Sequence, residues 1–171
     1  MGTFPPGRHR WSMDFYYPNR TNDFWYAMGL IFFNNRYEFL RDDQKSFNVD
    51  SIISFLNNKK IALNDTAGKV CRLKGNASDK FLQIIEPAPI FDLLERMPSC
   101  VALATTGEKA AGIIAQLTNT KIPKIGCSVK FEIGSRVIEI WRMPSTSRAY
   151  PLALDKKAGF YAEMFRSIGI L

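Results

Sequence analysis

The feature that most constrains this chain is the interleaving of two hydrophobic periods. Short apolar runs without alternation, CVALAT at 100–105 and VIEIW at 137–141, with IAL at 61–63 as a weaker third, suit strands covered on both faces, which is how parallel strands are buried. Elsewhere apolar residues recur at helical spacing: Val49, Ile52, Ile53 and Leu56; Ile90, Leu93, Leu94 and Met97; Ala110, Ile113, Ile114 and Leu117. Phe24, Met28, Ile31 and Phe32 make a similar stripe near the start, and Leu154, Ala158, Tyr161 and Phe165 another near the end. Five such stripes among buried strands predict an α/β fold, with helices on both sides of a mostly parallel sheet. The 171 residues suffice for one sizeable core and are short for two, so a single domain over 1–171 is expected.

Several function classes are disfavoured at once. Apolar runs fall well short of the ~18 residues of a membrane span, and the start, MGTFPPGRHRW, has no apolar stretch behind its charges. A soluble, cytoplasmic protein without a membrane partner is the expectation. Cys71, Cys100 and Cys127 are widely and unequally spaced and His9 is the sole histidine, which fits neither a disulfide framework nor a metal pair; metal-free, cofactor-free chemistry is expected. The net charge of +7 is placed unevenly. Residues 1–41 carry five Lys/Arg against three Asp/Glu, 42–120 nine against nine, and 121–171 nine against four, so the excess lies at the two ends. A positive surface assembled from distant segments suits a polyanion such as nucleic acid.

In an α/β sheet, ligands gather where loops leave the carboxyl ends of strands. TGEKAAG at 106–112 is no phosphate loop, because Glu108 separates Gly107 from Lys109 and no Ser or Thr follows; Thr106 reads as a helix cap, with Gly107 and Glu108 opening the first turn. RMPSTSRAYP at 142–151 reads as a stiff polar loop ahead of the last helix, where Arg142 and Arg148 can reach phosphates. No His or Lys lies near enough in sequence to make one of its serines nucleophilic. In KGNASDKFL at 74–82, Asn76, Ser78 and Asp79 can cap a segment starting at Lys80. YYPNRTNDFW at 16–25 sets a ring beside an amide, and Asn22 there is also a candidate helix N-cap.

Taken in order, GTFPPG at 2–7, FYYPNRTNDFW at 15–25, ALNDT at 62–66, KGNASDKFL at 74–82, TTGEKA at 105–110 and MPSTSRAYP at 143–151 resemble the uracil-DNA glycosylase superfamily over nearly the whole chain. The sequence looks closest to its mismatch-specific and hypoxanthine-DNA glycosylase branches. The resemblance implies a three-layer α/β/α sandwich around a short, mostly parallel sheet. It implies a monomeric, monofunctional glycosylase of base excision repair, acting on DNA with a deaminated or mismatched base and hydrolysing the N-glycosidic bond of flipped uracil or hypoxanthine.

By the same resemblance Asn22 is the catalytic amide and Tyr17 the stacking ring, with Phe4, Ser78 and Asp79 also on the base; Arg8, Pro144, Ser145, Thr146, Ser147 and Arg148 would hold DNA. Phe24 and Trp25 stay in the core, and Asp14 is the nearest rival base. Phe4 stands where the mismatch-specific branch has a water-activating asparagine, and the aspartate and histidine of uracil-specific relatives are missing. Family members also begin with a buried strand before Gly-x-x-Pro; here Met1 directly precedes Gly2, so that strand is expected to be absent and the natural protein to extend upstream. The rival readings are a DNA-binding member without catalysis and a small-molecule hydrolase acting on nucleosides.

Overall fold

The computed structural model describes residues 1–73 and 81–171. Over these residues the chain is mixed α/β, with five α-helices and two small sheets, one of them partly parallel. It divides into two compact units, the first of Met1–Phe4 with Asn64–Pro144 and the second of Pro5–Leu63 with Ser145–Leu171. Among the described residues no helix is long and apolar enough to cross a membrane.

Among the described residues, the first unit holds all the strands. β1 (Ala67–Arg72) and β2 (Leu82–Pro87) form an antiparallel pair, and β3 (Ala102–Thr106), β4 (Cys127–Ile133) and β5 (Arg136–Met143) form a sheet of order β3-β5-β4. β3 runs parallel to β5, with Leu103 opposite Ile140, whereas β4 runs antiparallel to β5, with Phe131 opposite Ile138. The apolar runs that predicted strands are therefore the parallel pair. α3 (Ile90–Arg96) and α4 (Glu108–Thr118) supply Ile90, Leu94 and Ile114 to a core that also takes Leu103, Ile138 and Ile140 from the sheet.

Two sequence expectations are corrected here, and a third falls outside the described residues. IAL at 61–63 is not a strand, its three residues being too few to sustain a ladder without a neighbour. The segment from Lys80 that Asn76, Ser78 and Asp79 were read as capping lies, with those residues, outside the described ones; the next strand begins at Leu82. Thr106 is not the cap of α4: it belongs to β3 and donates its N–H to Met1 O, while Gly107 takes the N-cap position at φ 97°, a left-handed backbone that glycine adopts without strain.

The start of the chain bonds on both sides. Met1 donates its ammonium to Ala104 O and accepts from the N–H of Thr106, and Gly2 bridges Asp65 in parallel register. Two residues thus occupy a strand-like place beside β3. Burial pulls the Met1 ammonium from 8.0 down to about 6, against the opposing pull of Asp65. For the chain beginning at Met1, the unfolded state binds a proton between those values that the folded state has released. Stability is therefore expected to rise as pH goes from 6 to 8, by about 2 kcal/mol. Urea unfolding at the two pH values measures it, and equal midpoints would show that the amine is not buried.

The second unit is helical, with α1 (Phe24–Phe33), α2 (Val49–Lys59) and α5 (Leu154–Ser167) around an aromatic core. α1 reads FWYAMGLIFF, apolar all round, and its first six residues are buried, which extends the expected stripe to a whole turn and more. Asn34 ends α1 in the left-handed region at φ 53°, which asparagine tolerates better than most residues. α1 packs on α5 through Phe32 against Phe165, ring centroids 5.1 Å apart, and Phe24 against Tyr161 at 6.4 Å. Such ring pairs add about 0.5–1.5 kcal/mol each beyond the area they bury.

A candidate site at the start of the first helix

Within the second unit the entry to α1 gathers six of the residues singled out by sequence. Asn22 forms an isolated antiparallel bridge with Ser147, and the N–H of Asp23 donates to Thr146 O at 2.7 Å. The Tyr17–Asn22 stretch and the late loop, more than a hundred residues apart in the chain, are thereby joined backbone to backbone.

Asn22 does act as a cap. Its Oδ1 accepts from the N–H of Phe24 at 2.9 Å, although the N-cap position by backbone is Asp23, whose side chain makes no cap bond. An amide oxygen has two lone pairs, so one capping bond leaves a second acceptor direction while fixing the side chain. Capping and water-holding are therefore compatible roles for the half-buried Asn22.

Tyr17 is held in an unusual conformation. Its φ is 52°, in the left-handed region, at a cost of about 1–2 kcal/mol for a residue with a bulky side chain. Ser12 closes the loop beneath it, donating both its N–H, at 3.0 Å, and its Oγ, at 2.7 Å, to Pro18 O. The ring stacks on Phe24 with centroids 3.9 Å apart and planes 10° from parallel, and Phe24 meets Tyr161 edge-on. Burial, with a smaller contribution from Tyr17, holds the Tyr161 phenol well above its ordinary range, so it stays protonated. Phe24 and Trp25 are core residues, as expected, and Trp25 Nε1 donates to Tyr16 O.

Beneath the loop lies a charge cluster that sequence reading missed. Asp23, buried, accepts from Lys157 Nζ at 2.8 Å and from Arg148 Nε at 3.0 Å. Lys157 is wholly buried and also donates to Ser147 O at 2.8 Å. A signal was present: Lys157 falls three residues after Leu154 and four before Tyr161, on the apolar stripe of α5 where a lysine is out of place. The late loop does therefore have a lysine beside it, contrary to expectation. Paired with Asp23 it is a structural cation, and it contacts the carbonyl of Ser147, not a serine hydroxyl.

The loop itself is less of a protrusion than its composition suggests. Pro144 and Thr146 are buried, while Ser147 and Arg148 are exposed. Ser145 Oγ accepts from the N–H of Ser147 and Ser147 Oγ from that of Ala149, both at 3.2 Å, turns that fix both oxygens and do not use either hydroxyl proton. Arg148, instead of hanging free for phosphate, is tied to Asp23 and lies over the Tyr26 ring at 5.2 Å.

Arg8 is highly exposed, 3.8 Å from the equally exposed Asp14 and over the Trp11 ring at 5.0 Å. Phe4 and Pro144 belong to the first unit. Ser78 and Asp79 lie outside the described residues. Comparison with protein-family models, with curated proteins and with solved structures found no match to this chain.

Proposed function

We propose that this chain is a monofunctional DNA glycosylase that releases a deaminated base, uracil or hypoxanthine, from DNA. What carries the reading is the joining of Asn22 to Ser147, which sets a fixed amide and a stacked ring beside a loop carrying two serine hydroxyls. With it goes the three-layer α/β/α arrangement that the resemblance implies, around a sheet that is parallel between β3 and β5 and antiparallel between β5 and β4.

In this reading the flipped base stacks on Tyr17 and Asn22 orients a water. The C1′–N bond breaks with its electron pair leaving on the base, which then takes a proton, and the water oxygen bonds to C1′ to leave an abasic sugar. An amide is a poor proton acceptor, so the step rests on positioning and on stabilising a sugar cation and a base anion. None of the residues proposed for chemistry is a lysine, so no Schiff base and no strand cleavage follow. The test is incubation with oligonucleotides carrying uracil or deoxyinosine, then alkali. Cleavage at the modified position is expected with at least one of them; intact strands from both would refute the reading.

A second reading has its own support. The Phe24 amide already occupies one side of Asn22 Oδ1, and Arg148 is engaged by Asp23, as they would be in a DNA-binding relative without catalysis. That protein would bind with steep salt dependence and show no preference for a damaged base.

A further inference from the structure

β4 is the outer strand of the order β3-β5-β4, and among the described residues no strand pairs with its far side. Which of its backbone groups face outward follows from the ladder. The N–H of Glu139 donates to Val101 O, so Glu139 in β5 points its backbone toward β3. Lys130 is opposite Glu139 in the antiparallel pair, and opposite residues either face each other or both face away. The N–H and C=O of Lys130 therefore point out from the sheet, with those of Ser128 and Glu132. Phe131, opposite Ile138, directs its own backbone groups to β5.

We propose that this edge is an interface with a second copy of the chain, β4 pairing antiparallel with its partner's β4 about a two-fold axis at Phe131. The alternation of outward groups allows a symmetric antiparallel pair only about a residue, which leaves few registers. An axis at Lys130 opposes two lysines, and one at Glu132 opposes two glutamates. An axis at Phe131 places Lys130 opposite the partner's Glu132 and Glu132 opposite the partner's Lys130, both as hydrogen-bonded pairs. Lys130 and Glu132 are exposed, and among the described residues neither has an ion-pair partner. This register gives each its opposite charge.

The other face of the strand agrees with the same axis. Val129, Phe131 and Ile133 are half-buried and pack on the core of the first unit. Pairing about Phe131 sets Val129 opposite the partner's Ile133 and ring opposite ring, so the apolar row continues across the interface. Phe91 of α3, 43% exposed, meets Phe131 with ring centroids 6.2 Å apart and widens that row. A long exposed edge is an association hazard unless it is blocked or paired, and here charge and apolar pattern match one partner, a second copy. The proposal stands apart from the glycosylase reading and replaces the monomer expected from sequence.

Sedimentation velocity over a concentration series is the test. The unaltered chain is expected to approach twice its mass of 19.5 kDa. Lys130→Glu opposes two glutamates at both symmetric positions and is expected to weaken association about tenfold, and the exchange of both residues, K130E with E132K, to restore it. Lys130→Pro removes only an outward N–H, so it is expected to abolish association while circular dichroism of the single chain stays unchanged. A chain that sediments as one copy at every concentration, or a charge exchange that fails to restore what Lys130→Glu removes, would overturn the proposal.

Discussion

Lys157→Met is expected to lower the unfolding free energy by about 3–5 kcal/mol, because it leaves the Asp23 carboxylate inside the protein without its buried cation. Asp23→Leu should cost a similar amount for the mirror reason, since the wholly buried Lys157 ammonium would face only the Ser147 carbonyl. The double replacement removes both charges and is expected to recover most of the loss, since a well-packed apolar pair of similar volume often does as well as a buried ion pair. Urea unfolding followed through Trp25, buried in the same unit, reads the effect. If the double variant is as unstable as the sum of the two singles, the cluster is not a coupled pair.

Replacing Asn22 is expected to separate capping from catalysis. Asn22→Ala loses the bond to the Phe24 amide and about 1 kcal/mol of stability. In the glycosylase reading it also loses the fixed water, and base release per folded molecule should fall roughly 100-fold to 1,000-fold while DNA affinity is largely kept. Asn22→Asp keeps an acceptor for Phe24, places a carboxylate at a helix N-terminus, and should be as stable as the natural chain. A carboxylate also orients water and takes its proton better than an amide, so this variant is expected to retain activity. Single-turnover base release normalised to folded protein decides the matter. An alanine variant that is less stable yet equally active would make Asn22 a cap and nothing more.

The helices were legible because each writes its buried face in local spacing. Ile52 and Leu56 of α2, and Ala110 and Ile114 of α4, are buried as the stripes indicate. The parallel strands were legible for a related reason: β3 and β5 each carry a short apolar run, with Leu103, Ile138 and Ile140 buried, so no neighbour had to be known. β4 escaped notice, its sequence CSVKFEI alternating half-buried and exposed positions. That pattern is shared by many loops and by edge strands, and only a partner strand distinguishes them. β1, with AGKVCR largely exposed, carried still less signal.

At the candidate site the division is sharper. The sequence by itself determined that an amide and a ring stand just before an apolar helix, and that two serines and an arginine sit in a loop before the last one. Local spacing and residue type suffice for such statements. Only the tertiary structure decided that Asn22 and Ser147 are paired, that Arg148 turns inward to Asp23, and that Lys157 is buried beneath them. Those contacts join residues 125 and 134 positions apart, and whether a charge faces water or another charge depends on which segments fold against each other. Composition can count a lysine, but burial and pairing give it a place.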